Sequence, residues 1–199
     1  MHKRYLLLLI CCFNSLLLAC DIETVKEILN QKTLQAEFKQ LKTIKVLSRP
    51  LTSKGVIWKT VDSTIIWQTQ QPFVSTLVLS QSNILRFNNK HQLKAASTQA
   101  KVKAIEQEMS QLFFNVFSGN LAELEKSFEQ TLSCDAGLWS LVLTPKDEKL
   151  KNILLSISLK GASTLNSISF QEKRGDITDI TLNHQAPIDT SKLEQFIER

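Results

Sequence analysis

Side chains that could act in catalysis are scattered along the sequence and match no known catalytic arrangement. Ser75 lies in a serine-containing stretch without the Gly-x-Ser-x-Gly pattern that exposes a nucleophile at a strand-to-helix turn. Cys134 has no histidine at a spacing typical of cysteine nucleophiles, and Asp147-Glu148 falls in a predicted turn. His91 and His184 are far apart in polar surroundings. We therefore predict that the protein is not an enzyme and has no catalytic residues, metal site or cofactor.

The first residues have the composition of a secretion signal. Lys3-Arg4 gives a basic start, and the apolar run that follows ends at Ala19. This run is shorter than the roughly 20 apolar residues that span a bilayer, and a polar sequence follows it. Residues 1–19 are therefore predicted to be removed on export, and residues 21–199 to form a single domain.

Cys20 has two alternative fates at this boundary. Leu17-Leu18-Ala19-Cys20 resembles the lipobox of bacterial lipoproteins, in which the cysteine is acylated. An unmodified Cys20 in an oxidising compartment would instead favour a disulfide with Cys134, which otherwise is expected as a buried, inert thiol. Asp21 follows directly, and in many enteric-type bacteria an aspartate there marks inner-membrane retention. We expect a protein free in the periplasm, with a form lipid-anchored to a membrane facing the periplasm as the alternative.

The charge pattern argues against a nucleic-acid partner. The formal net charge of +5 includes Lys3 and Arg4, which leave with the signal. The remaining basic residues are dispersed among acids and glutamines, so the clustered positive patch of a nucleic-acid binder is missing.

Hydrophobic periodicity divides the exported chain into helices and strands. Asp21 is placed to cap a short helix over residues 22–30, and alternation from Leu34 onward predicts a strand. Strand-like runs continue at ten-residue spacing to a last one at 92–95. Residues 98–118 then have the pattern of an amphipathic helix, and Asn120 can cap another short helix. Five more strands are predicted between residues 128 and 185, with one helical turn in 191–199.

These elements predict an α+β fold with about ten or eleven antiparallel strands. A sheet of that size must curl or close to cover its apolar face, and the amphipathic helix is the available plug. Phe113, Phe114 and Phe117 lie on this helix. Adjacent residues cannot both point to one side of a helix, so one of the first two is expected at the cavity mouth or against a partner.

Several segments resemble the periplasmic lipoprotein carriers of the LolA/LolB type, in a divergent LolA-like branch. Trp67 to Pro72 is similar to the strand-turn-strand of that family, with Ser75 and Leu77-Val78 at a fixed interval. The other similar segments, which occur in the family's order, are Gln35 to Gln40, Arg49 to Gly55, Leu141 to Lys146 and Leu150 to Ile153. The resemblance covers nearly the whole exported chain.

This resemblance implies a half-open, strongly curled β-barrel whose concave hydrophobic face is covered by helices and holds acyl chains. The candidate cavity residues are apolar side chains of the strands and of the amphipathic helix: Phe38, Trp58, Trp67, Leu77, Phe87, Ile105, Met109, Phe113 and Phe117. The alternative is that these side chains form an ordinary core. Alignment on Trp67 places Val61 where the family has an arginine that latches its lid.

The predicted function is a periplasmic carrier for acyl chains of lipoproteins or another lipid-like cargo, moving toward the outer membrane. The resemblance implies inner-membrane release machinery and an outer-membrane acceptor as partners, and a monomer is expected. A membrane-tethered acceptor of the LolB kind, acylated at Cys20, is the first alternative. A lipid-related enzyme accessory on the same scaffold is the second.

Overall fold

The computed structural model describes residues 20–81, 83–94, 100–185 and 193, with the backbone only for 100–106. Four helices are present in this part of the chain: α1 (Ile22–Leu29), α2 (Ala100–Ser118), α3 (Leu121–Ser127) and α4 (Glu148–Lys151). The ten strands are β1 (Leu34–Thr43), β2 (Leu51–Lys59), β3 (Ile65–Gln71), β4 (Ser75–Leu79), β5 (Ile84–Phe87), β6 (Phe128–Asp135), β7 (Leu138–Pro145), β8 (Leu154–Gly161), β9 (Leu165–Glu172) and β10 (Ile177–His184).

All ten strands form one antiparallel sheet in the order β5-β4-β3-β2-β1-β10-β9-β8-β7-β6. Each half of the chain contributes a meander of five sequential strands, and the two meanders join where β1 pairs with β10. The two edge strands, β5 and β6, are consecutive in sequence. The segment between them therefore crosses from one edge of the sheet to the other, and this segment contains α2 and α3.

Contacts of one phenylalanine show that the sheet curls around α2. The ring centroid of Phe113 lies 5.5 Å from that of Trp67 on β3 and 5.0 Å from that of Phe170 on β9. Four strand-to-strand steps separate β3 from β9, which would place them about 19 Å apart in a flat sheet. The open, curled antiparallel fold with helices on one face is as predicted.

Local sequence explains where the helices begin and end. The Asp21 carboxylate accepts a hydrogen bond of 2.8 Å from the Thr24 N–H and caps α1. Gly119 takes a positive φ of 71° after α2, a conformation that glycine adopts readily. The Asn120 side chain then accepts from the Glu123 N–H and begins α3, as its position in the sequence predicts.

Three details differ from the predictions or lie beyond the described residues. The strand expected at 92–95 is wrong over its described part, where only an isolated bridge between Phe87 and Leu93 is present. The turn expected at Asp147-Glu148 is the start of α4, because the Asp147 carboxylate caps the N–H groups of Lys149 and Leu150. The segments 1–19 and 191–199 lie outside the described residues, apart from Leu193.

Buried side chains form two clusters on opposite faces of the sheet. The inner face, defined here as the face that α1, α2 and α3 cover, carries most of the core, including Ile57, Leu141 and Ile168. The outer cluster, on the other face, consists of Ile66, Val78, Phe87 and Leu193, with Trp58 and Leu85 partly buried against it. Successive residues of a strand point to opposite faces, which is why Ile65 and Ile66 belong to different clusters.

Candidate functional site

An aromatic cluster fills the contact between α2 and the inner face of the sheet. The Trp67 ring centroid lies 4.5 Å from Phe38, 5.5 Å from Phe113 and 6.1 Å from Phe117. Phe170 completes the cluster through Phe113. Centroid separations of this size, with tilted and edge-to-face rings, are favourable packing arrangements for aromatic side chains.

Three strands and one helix position these rings. Phe38 and Phe170 follow the two-residue alternation of β1 and β9, which directs them to the inner face. Phe113 and Phe117 are four residues apart, so α2 presents both on one side. Phe38 and Phe117 are each only 3% exposed, whereas Trp67 and Phe113 are partly buried.

The structure brings six of the nine predicted cavity residues together. Phe38, Trp67, Phe113 and Phe117 form the aromatic cluster, and Leu77 and Met109 pack against the same inner core. The side chain of the seventh, Ile105, lies outside the described residues.

Trp58 and Phe87 require a correction, because they belong to the outer cluster. Trp58 follows Ile57 and precedes Lys59 on β2, and both of these neighbours point inward. Phe87 pairs with Thr76, on the same face as Val78. These two aromatic side chains therefore do not share a hollow with the others.

Phe170 was missed by the sequence prediction, although its signal was present. Ile168 and Phe170 alternate with polar residues along β9, as expected for a strand with one buried face. What the sequence could not reveal was that β9 would curl round to face β3 across α2.

An apolar pocket opens beside the aromatic cluster. Its volume is about 340 Å³, and its lining includes Met109, Phe113, Leu154 and Phe170. Lys42 and Glu172 also line it and form an ion pair of 3.2 Å. The volume lies within the range of about 300–1,000 Å³ that is common for small-molecule sites.

A second, larger groove continues past α2. It has a volume of about 590 Å³ and runs between α2, α3 and α4. Met109 and Leu154 line both this groove and the apolar pocket, so the two spaces adjoin. Acidic side chains, including Glu108, Glu123 and Glu148, line the groove as well, which makes it more polar than the pocket.

Lys59 is an unexpected cation on the inner face. The residue is 2% exposed, and among the described residues its Nζ has no hydrogen-bond partner. Burial lowers the pKa of this amine from 10.5 to about 8, because the charged form loses its hydration. Val61, which the resemblance aligns with the family's latching arginine, is 75% exposed in the turn after β2.

A disulfide joins Cys20 to Cys134, with 6.2 Å between their Cα atoms. It ties the residue before the α1 cap to edge strand β6, across 114 positions of sequence. A cysteine in a disulfide has no free thiol to form a thioether, so this state of the protein is incompatible with acylation of Cys20.

Two other features are absent from the described part of the chain. None of its helices is long and apolar enough to cross a membrane. Residues 20–81, 83–94 and 107–185 contain no group of three or more histidine, cysteine or acidic side chains arranged to hold a metal ion.

Solved structures that align with this chain share little sequence with it. A LolA superfamily protein from Nitrosomonas europaea is 8% identical, with coverage of 85% of this chain and 94% of that one, at a TM-score of 0.44. A DUF1329 family protein from Desulfovibrio piger is 9% identical, with coverage of 87% and 95%, at a TM-score of 0.46.

A third similar structure is a chain of the Pseudomonas aeruginosa MucA/MucB complex. It is 12% identical, with a TM-score of 0.49 and coverage of 86% of this chain. The present chain spans only 58% of the length of that neighbour. No curated protein shows significant sequence similarity to this one.

Family membership rests on the sequence itself. The sequence model described as "Outer membrane lipoprotein carrier protein LolA" matches residues 30–196. This match includes all ten strands and α2, α3 and α4, and it confirms the resemblance found in the individual segments. The chain therefore belongs to the LolA family of outer membrane lipoprotein carrier proteins.

Proposed function

We propose that the protein is a periplasmic carrier that holds the acyl chains of a lipoprotein, or of another lipid-like cargo, against the inner face of its sheet. The observation that carries this proposal is the apolar pocket beside the aromatic cluster, between α2 and β9. An acyl chain needs an apolar, water-excluding surface, and burial of each methylene contributes about 0.8 kcal/mol.

The position of α2 over the apolar pocket supports a role as a cover that moves aside for cargo. Met109 and Phe113 line the pocket from α2, while Leu154 and Phe170 line it from the sheet. Outward movement of α2 would extend the pocket along the line from Phe113 to Phe117 without breaking any pairing between strands. The ion pair between Lys42 and Glu172 lies at the same pocket and would remain in place.

The first test is binding of a neutral apolar fluorophore, N-phenyl-1-naphthylamine, by the purified mature protein. We expect one saturable site per chain and displacement of the probe by a diacylated lipopeptide. Met109→Glu should reduce probe affinity at least about tenfold, because it puts a charge into the pocket.

Leu85→Glu is the matched control for this substitution. Leu85 is also partly buried, but it packs against the outer cluster. Its replacement should lower stability by a similar amount and leave probe affinity unchanged. Wild-type protein that fails to bind the probe, or equal loss of binding in both variants, would contradict the carrier proposal.

The tethered acceptor is the second candidate, and Leu17 to Cys20 is the feature that favours it. The disulfide of Cys20 favours the form that is free in the periplasm. Mass spectrometry of the intact mature protein, purified from the native envelope, separates the two. A mass two hydrogens below that of the reduced chain indicates the disulfide, whereas an added acyl mass on Cys20 assigns the protein to the tethered class.

A further inference from the structure

Lys59 is a buried cation that has no counter-ion among the described residues. It is the last residue of β2, and its side chain points to the inner face as that of Ile57 does. An isolated charge in an apolar interior is strongly unfavourable unless another group compensates it. Its position therefore calls for an explanation that packing alone does not supply.

The space around Lys59 is small and mostly apolar. A cavity of about 20 Å³ adjoins the side chain, and α1, β1, α2 and β9 contribute apolar side chains to its wall. The other polar side chains that line it are Gln31 and His184. His184 already interacts through Nε2 with the Leu165 carbonyl oxygen. Among the residues described, the wall contains no carboxylate.

Helix α2 lines both this cavity and the proposed cargo pocket. Phe117 lines the cavity and belongs to the aromatic cluster. Phe113, one helical turn earlier, belongs to the same cluster and lines the 340 Å³ pocket. An acyl chain bound under this side of α2 would therefore run from Met109 at the pocket to Lys59 at the cavity.

We propose that Lys59 anchors the single anionic group, a carboxylate or a phosphate, of an amphiphilic cargo whose apolar chain extends under α2 toward Met109. This inference rests on the proposed carrier function and narrows its cargo to anionic amphiphiles. The Nζ would donate charge-assisted hydrogen bonds to the anion, and these are stronger than bonds between neutral groups.

The cavity also limits how the cargo enters. A volume of 20 Å³ holds about one water molecule, so a carboxylate or a phosphate requires the cavity to widen, and no part of a chain fits in it as it stands. Phe117 must therefore move aside with α2 for the apolar chain to follow.

The test compares three ligands of equal chain length below their micelle concentrations: dodecanoate, dodecyl phosphate and dodecanol. Each is titrated by displacement of N-phenyl-1-naphthylamine at pH 7, where the Lys59 amine is protonated. We expect the two anionic ligands to bind about tenfold or more tightly than dodecanol, which is the scale of a hydrogen bond to a charged group.

Two lysine variants separate a local contact from general charge. Lys59→Met replaces the amine with an unbranched apolar side chain. The affinity for the anionic ligands relative to dodecanol should then fall to a ratio of about one. Lys54→Met removes the same charge from an exposed position of the same strand, and the preference should persist. A preference that survives in Lys59→Met, or is lost in Lys54→Met, would overturn the assignment to Lys59.

A pH titration of the wild type gives an answer that does not depend on any variant. Affinity for dodecanoate should fall as the pH rises through about 8, while affinity for dodecanol stays constant. His184 is the other titratable group that faces the cavity. An affinity for dodecanoate that stays constant as the pH rises through about 8 would overturn the proposal.

The outcomes also separate this inference from the proposed function. Equal affinity for dodecanoate and dodecanol would overturn the Lys59 anchor and leave the carrier intact. Failure of every ligand and of the neutral probe would remove the carrier itself. Displacement of dodecanoate by millimolar acetate or inorganic phosphate would show a site for free anions and overturn the amphiphile assignment.

Discussion

The inner and outer faces of the sheet bury similar side chains, yet they differ in what covers them. The outer cluster combines Phe87 and Trp58 with aliphatic residues, and Leu193 near the C-terminus packs against it. The inner face is covered by α2, which crosses between the two edges of the sheet. Only the inner face, in the described part of the chain, adds a lysine that is almost fully buried. Aromatic content therefore does not distinguish the face of the proposed cargo site from the other face, whereas the helix that covers it does.

The largest expected effect on stability comes from the disulfide between Cys20 and Cys134, which joins the start of α1 to edge strand β6. The double variant Cys20→Ser, Cys134→Ser removes a disulfide that closes a loop of more than 100 residues, for which the loss of stability is about 4–5 kcal/mol. Urea denaturation should show this loss. Reducing agent should lower the wild-type midpoint to that of the variant and leave the variant itself unchanged, and a variant as stable as the wild type would contradict the prediction.

A matched pair of phenylalanines tests the comparison directly. Phe117 on the inner face and Phe87 in the outer cluster are both 3% exposed. Replacing either with alanine should cost about 3–4 kcal/mol of stability by urea denaturation. Binding of the neutral probe should change only in Phe117→Ala. Equal changes in binding would show that the two faces do not differ in function.

The dependence of stability on pH should report the cation on the inner face. Between about pH 8 and 10.5 the folded protein releases the Lys59 proton while the unfolded chain still holds it, so stability should rise with pH. The rise reaches roughly 3 kcal/mol, from the difference between the two pKa values. The measurement is the free energy of unfolding relative to Lys59→Met, and a constant difference between pH 7 and 10.5 would contradict it.

A smaller effect should distinguish two glycines with positive φ. A Cβ at Gly119 would lie 2.7 Å from the Asn30 backbone nitrogen, where the end of α2 meets the end of α1. Gly119→Ala should therefore cost about 2 kcal/mol. Gly137 also has a positive φ, but no atom lies within 4 Å of a Cβ there, so Gly137→Ala should cost only about 1 kcal/mol by thermal denaturation. Equal losses would argue against close packing of α1 on α2.

Much of the fold could be predicted because local patterns determine it. The Asp21 cap, the alternation of β1 and the period of α2 each indicated the element that formed. The face of the sheet to which each side chain points was harder to predict. Residues Ile65, Ile66 and Trp67 are apolar in succession because both faces of β3 are covered, and no alternation remains to identify the inner one.

The candidate site was predicted only in part, for two physical reasons. One of Phe113 and Phe114 was expected at the cavity mouth or against a partner, and Phe113 does line the apolar pocket. Phe114 is buried in the inner core as well, because α2 contacts other helices as well as the sheet. Lys59 could not be identified, since a lysine at the end of a strand is usually solvated. Its burial depends on α1, α2 and β10, which are distant in sequence.

The pairing of β1 with β10 has a consequence for how the chain folds. Each meander consists of hairpins between sequential strands, so it can form from contacts that are local in sequence. The seam between the meanders joins residues such as Phe38 and Leu182, near the two ends of the chain. Contacts of such long sequence separation are slow to form, because a large loop must close first. We therefore expect the pairing of β1 with β10 to form later than the hairpins within each meander.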